Sequence, residues 1–269
     1  GVVPVPITPP TVVDRGAARR SFGIGAHERL VLTIATGYKY EPIGGRSLFE
    51  PLDRLLRRTD VKLMAVGPGP GHPVFAPLAE RHPGQVLCTG AVPAPAAHRA
   101  AADVYLDSYP FASITSMLES AAVGTPVVAY QPDRDALEIL YSECPWLPAD
   151  AYVADDPDRL VDMLVERLDD ESLRRDLAAR NVAGMALHFP QAWRAAIRAH
   201  VAGDHPRTPW RGGKIAFRND LLDRVLAGLH DHVRAHASHP RALGLDHSGR
   251  RWLRWYKRLG LIGRQPLTQ

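Results

Sequence analysis

Two kinds of hydrophobic pattern alternate along the chain. Short apolar runs rich in β-branched residues recur at RLVLTIATG (29–37), VKLMAVG (61–67), QVLCTGAV (85–92), DVYLD (103–107), TPVVAY (125–130) and AYVA (151–154). Runs of this length and composition predict strands. Between them the apolar positions fall at helical intervals. In SLFEPLDRLLRR (47–58), Leu48, Leu52, Leu55 and Leu56 share one face. VFAPLAERH (74–82) and PAAHRAA (95–101) read as shorter helices, and another helix falls at about 115–123. Three further helical patterns span 156–168, 171–187 and 190–201. Leu30–Ala35 and Pro126–Ala129 are apolar without alternation, as expected of strands covered on both faces. Strands alternating with helices imply βαβ units with right-handed crossovers. The expected fold class is α/β: a Rossmann-like doubly wound parallel sheet over residues 28–200. No internal repeat is visible.

Composition changes this picture only at the ends. At 269 residues, 45% hydrophobic and 23% charged, the chain is long enough for one large or two small globular domains. No apolar run approaches the roughly 18 residues of a membrane span. Two cysteines, Cys88 and Cys144, make no disulfide framework and suggest a reducing, cytoplasmic setting. The opening GVVPVPITPP lacks the pattern of a signal peptide. Its prolines suggest an extended linker, so residues 1–27 are read as an interdomain linker or first segment. A further domain upstream is one reading and a processed terminus the other.

Residues 201–269 carry 13 Lys/Arg against 5 Asp/Glu, although the whole chain is only +4. The basic character therefore belongs to a helical C-terminal extension. Within 216–236, Leu221, Val225, Leu229 and Val233 form one stripe; within 249–263, Trp252, Trp255, Tyr256 and Leu259 form another. The second can touch anionic lipid as a peripheral contact, or pack on the core or on a missing domain. No nucleic-acid recognition motif accompanies the charge, so no nucleic-acid partner is expected. His230, His232, His236 and His239 cluster in the tail, but lack a convincing third ligand, and no metal site is expected.

The chemistry concentrates in SYPFASITSMLESAAVGTPVVAY (108–130). A loop of small residues leaves a strand and delivers Ala112, Ser113, Ile114, Thr115 and Ser116 to a helix start. Unpaired N–H groups and the helix dipole there suit a phosphate. Glu119, one turn on, is an acceptor that can hold a ribose diol. The same residues fit a capping box, with Ser116 as cap and Glu119 reaching back, which needs no ligand. Both readings stand on local sequence alone. Ser113 and Ser116 have no evident base beside them and are assigned to binding rather than attack.

YLDSYPFASITSMLESAAVGTPVVAY resembles the donor-site segment of GT-B glycosyltransferases. Glu119 and SAAVGTPVVA match the second acid of family 4 and the small-residue stretch after that acid, while LDSYPFASITSMLE looks like the loop of the O-GlcNAc-transferase group. The resemblance implies one half of a GT-B fold, the C-terminal donor-binding domain, whose segment contacts the diphosphate and ribose of a nucleotide sugar. In TGYKYEPIGGRSLFEPL, Gly37 matches the family's glycine, and Lys39 and Arg46 stand near its two diphosphate-clamping bases, with stretched spacing. QVLCTGAVP resembles the strand before the base pocket, with Val92 as the contact. VGPGPGH (66–72) reads as a turn. The departure is Phe111, where the first acid of the family 4 pair should fall. The catalytic residues are therefore left unassigned, and the loop is expected to hold the sugar through the backbone N–H groups of Ala112, Ser113 and Ile114.

The resemblance implies a glycosyltransferase incomplete without an N-terminal acceptor domain. It would take a UDP or GDP sugar as donor and an unspecified acceptor, with no cofactor. The alternatives are a non-catalytic nucleotide-binding or scaffold module, and a nucleotide-sugar epimerase.

Overall fold

The structure, a computed structural model, describes residues 5–42, 45–132 and 151–203. The stripes in 216–236 and 249–263, the histidine cluster and Cys144 lie outside the described residues. Among the described residues the strands are β1 (Leu30–Ile34), β2 (Lys62–Val66), β3 (Val86–Gly90), β4 (Val104–Leu106), β5 (Val127–Tyr130) and β6 (Val153–Ala154). Every pairing is parallel, and the order is β3-β2-β1-β4-β5-β6. Leu32 on β1 stands opposite Met64 on one side and Tyr105 on the other.

The described helices are α1 (Arg15–Ser21), α2 (Phe49–Arg58), α3 (Phe75–Arg81), α4 (Ala96–Ala101), α5 (Ile114–Ala122), α6 (Pro157–Asp169), α7 (Glu171–Met185) and α8 (Pro190–Ala202). They divide into two layers, because successive strand side chains point to opposite faces. Leu30, Leu32 and Ile34 join one core with α1, α4, α5 and α7 through Ala18, Ala101, Leu118 and Leu177. Val31, Leu63 and Ala65 join the other with α2, α3 and α6 through Leu52, Leu78 and Leu164. The sheet is thus covered on both faces, which is why its strands carry unbroken apolar runs.

Local sequence fixes the ends of several elements. Asp156 accepts the Arg159 N–H at 2.8 Å and Pro157 opens α6, a favourable first-turn position for proline. Asp170 ends α6 and caps α7 by accepting the Leu173 N–H at 2.9 Å. Past α5, Gly124 takes φ +82° and its N–H returns to the Ala121 carbonyl at 2.9 Å, a left-handed turn suited to glycine.

The described part of residues 1–27 belongs to the domain rather than to a solvated connection. Ile7, Ala18 and Ile24 are buried in the first core. Asp14 caps α1 by accepting the Ala17 N–H. The buried Arg19 donates to the Ala101 carbonyl at 2.8 Å and to Asp103 at 3.3 Å, and Arg15 reaches Asp103 at 2.7 Å. Asp103 also accepts the Leu30 N–H at 2.8 Å, so these ionic contacts tie α1 to the start of the sheet. None of the described helices is long and apolar enough to cross a membrane.

Candidate functional site

In a 3-2-1-4-5-6 sheet the chain leaves β1 toward one side and β4 toward the other, opening a crevice at the carboxyl ends of those two strands. Two segments meet there. Thr36 to Glu41 follows β1 and contains a single 3-10 turn, Gly37–Tyr40. Residues 107–113 follow β4 and lead into α5.

Lys39 joins the two segments. Its Nζ donates to the Ala112 carbonyl at 2.9 Å and to Ser113 Oγ at 3.4 Å, and the Phe111 N–H donates to the Lys39 carbonyl at 3.3 Å. Ser113 Oγ continues to Ser116 Oγ at 3.3 Å. An ammonium has three donors, so the two contacts leave Lys39 one for a ligand. Burial pushes the Lys39 pKa down, and the charge of Asp107 opposes that.

Asp107 lies beneath the loop with no exposure to water. It accepts the Ser113 N–H at 3.0 and 3.2 Å through its two oxygens. Burial raises its pKa to about 6, against the opposing pull of the Ser113 and Ser108 N–H groups and of Lys39. Tyr105 OH donates to the Ile34 carbonyl at 3.3 Å, and Tyr40 OH shares a 2.7 Å hydrogen bond with Thr33. The floor of the crevice is therefore a set of buried polar groups partnered within the protein.

The turn bearing Lys39 is held from a third side. His72 Nδ1 accepts the Val74 N–H at 3.2 Å, which leaves Nε2 protonated to donate to the Gly37 carbonyl at 2.9 Å. A Cβ on Gly37 would stand 3.4 Å from the His72 ring. His72 closes the turn after β2. Gly67, with φ +109°, opens it, and there a Cβ would lie 1.9 Å from the Ala35 carbonyl oxygen. Glycine is required at 67 by that approach as well as by its φ.

Helix α5 begins at Ile114, with Ser113 as its N-cap residue and no side chain capping it. The first intrahelical bond runs from the Met117 N–H to the Ser113 carbonyl at 3.1 Å. The N–H groups of Ile114, Thr115 and Ser116 precede it, and helix geometry gives them no carbonyl partner. The Ser113 N–H is withdrawn from this set: it was expected to face a sugar, but Asp107 holds it because the loop turns inward to cover that buried charge. The capping box does not form either. Ser116 lies inside the first turn, and Glu119 pairs with Arg99 on α4 through Oε2. The carboxylate remains partly exposed and keeps Oε1 for a further acceptor role.

The other expected residues are distributed around this centre. Val92, Ala112 and Ile114 are half-buried and pack on the same apolar core. Arg46 is half-buried and its charge is felt at Tyr130, where it opposes the burial that raises that phenol. Arg46 therefore stands toward the end of β5, one strand beyond Lys39. Phe111 packs its ring on Tyr38, centroids 6.2 Å apart, giving the mouth an aromatic rim. Asp107, His72 and Arg99 were not singled out from the sequence. Only Asp107 left a signal there, as the acid closing the DVYLD strand. No cluster of metal-ligating side chains occurs among the described residues.

Residues 29–170 match the family described as "Glycosyl transferases group 1". No curated protein sequence matches the chain. Among solved structures, sucrose-phosphate synthase from Thermosynechococcus elongatus aligns with TM-score 0.57 and 18% identity, over 76% of this chain and 53% of that one. WaaG, a glycosyltransferase involved in lipopolysaccharide biosynthesis, aligns with TM-score 0.56 and 19% identity, over 76% and 56%. Anabaena Alr3699/HepE, solved in complex with UDP and glucose, aligns with TM-score 0.54 and 16% identity, over 72% and 53%. The chain thus spans about half the length of these structures and shares the fold of that half.

Proposed function

The chain belongs to the group 1 glycosyl transferases and carries one Rossmann-like half of a GT-B fold, and from this we propose that it binds a nucleotide-diphosphate sugar and donates the sugar to an acceptor held by a second half. The observation that carries the reading is the Lys39 bridge to Ala112 and Ser113 at the uncapped start of α5. That bridge brings a fixed cation and three unpaired N–H groups together at the switch point of the sheet.

In the proposed arrangement the diphosphate faces the N–H groups of Ile114, Thr115 and Ser116. Lys39 supplies a positive charge where negative charge develops on the leaving nucleoside diphosphate as the glycosidic bond breaks. The stabilisation needs no movement during reaction, because Lys39 is already tethered by two hydrogen bonds. Glu119 takes the ribose hydroxyls through its open oxygen, with Arg99 holding the other. Val92 lies toward the base, and Arg46 adds positive potential from the β5 side. The structure of Alr3699/HepE with UDP and glucose supports this class of ligand.

The test is titration of UDP and GDP into the full chain. We expect saturable binding of one of them, weakened at least tenfold, or about 1.4 kcal/mol, by Lys39→Ala and by Glu119→Gln. Absence of binding by either nucleotide would remove the donor reading. A second reading, a module that binds nucleotide without transferring sugar, is favoured by one observation: the Phe111 ring packs on Tyr38 where a family 4 enzyme would present an acid. It predicts nucleotide binding without donor turnover when an acceptor half is supplied.

A further inference from the structure

A second cavity of about 840 Å³ lies at the opposite end of the sheet from the Lys39 site. Arg29 stands just before β1, Asp103 before β4 and Pro126 before β5, so this cavity opens at the amino ends of the strands. Its volume is typical of small-molecule sites.

Its lining is basic and only partly neutralised. Five arginines line it against two acids, Asp103 and Glu171. Arg15 is held by Asp103, Arg99 by Glu119, and Arg174 by the carbonyls of Arg167 and Leu168 at 2.7 and 2.6 Å. Asp103 is already engaged by Arg15, Arg19 and the Leu30 N–H. Arg29 and Arg175 also line the cavity, and their side chains form no hydrogen bond or ion pair among the described residues. A wall of Val123, Ala178 and Val182 borders them, with Val182 at 51% exposure. Unpaired guanidinium forks match phosphate oxygens in geometry and charge. The aliphatic wall suits the uncharged part of the same ligand.

We propose that this cavity is a second binding site, for a small phosphomonoester carried on an apolar body. Arg29 and Arg175 take the phosphate, and Val123 and Val182 cover the remainder. The site does not depend on the donor-site reading and uses none of its residues for binding.

Phenyl phosphate is the probe, titrated calorimetrically into the full chain and three variants. The expected result is saturable binding that the Arg29→Ala/Arg175→Ala double variant weakens at least tenfold and Lys39→Ala changes less than twofold. Val182→Glu, which places a carboxylate two turns along α7 from Arg175, should weaken binding in the same way. Because neither arginine has a partner and Val182 is half-exposed, thermal midpoints should stay near that of the parent. The proposal is overturned by the absence of saturable binding. It is equally overturned by binding that survives both cavity changes, or by binding lost only in Lys39→Ala, which assigns phenyl phosphate to the crevice between β1 and β4.

Discussion

Asp107 couples the candidate site to pH. Its ordinary pKa is 3.8, and burial raises it to about 6 in the folded protein. Between those values the folded chain keeps a proton that the unfolded chain has released. Stability from this group is therefore fully present below about pH 4 and is lost as pH rises through about 6. Asp107→Asn keeps an acceptor for the Ser113 N–H and removes the titration. The expected result is a smaller fall in the urea midpoint from pH 4 to 6 for the variant than for the parent chain. Equal slopes would assign the titration to another group. Sequence pattern located Lys39 after a strand and Ser113 before a helix, because both are local facts. It did not locate the hydrogen bond from Lys39 to Ala112, 73 residues away, nor the folding of the loop over Asp107. Those depend on which strands become neighbours.

Helix starts in this fold are of two kinds, capped by a side chain or left open. Asp14, Asp156 and Asp170 each cap a helix with a carboxylate, whereas α5, like α2, α3, α4 and α8, starts with no side-chain cap, and at α5 that start lies beside Lys39. A resident carboxylate at α5 would compete with any incoming phosphate for the same N–H groups. Asp156→Ala should therefore cost about 1 kcal/mol of unfolding free energy, the usual loss for such a cap. It should leave UDP and GDP affinity unchanged, as denaturant titration and calorimetry on one sample can establish. Most elements were legible from hydrophobic spacing, with boundaries shifted by a residue or two, as at α2 (49–58 for 47–58). Helix α1 was not. It has seven residues and no long apolar stripe, and Arg19 secures it by bonds to carbonyls far along the chain. The 3-10 turn at Gly37–Tyr40 also escaped, since His72 holds it from the end of a different loop.

Across the whole molecule, alternation of strands and helices announced a parallel sheet, but not the strand order that sets β1 beside β4 and opens the crevice. Pairing order is a contest among surfaces of similar hydrophobicity, decided by long-range packing. One long-range contact has a consequence of its own. The Ile7 N–H donates to the His188 carbonyl at 2.9 Å, and His188 Nδ1 meets the Val5 carbonyl at 2.8 Å. Helix α8, next along the chain, buries no residue. Val5 and Phe189, the ends of the folded body from 5 to 189, thus lie close together, and joining them would make a ring of polypeptide whose seam can be moved. A circular permutant that starts at Gly84, runs to Phe189, crosses a short glycine-serine bridge to Val5 and stops at Pro83 should melt in a single cooperative transition by circular dichroism. Gly84 suits the new opening, since it sits in an exposed turn with nothing within 4 Å of a notional Cβ. In such a ring the place where synthesis begins is a matter of history, and the fold is specified by the cyclic order of its parts.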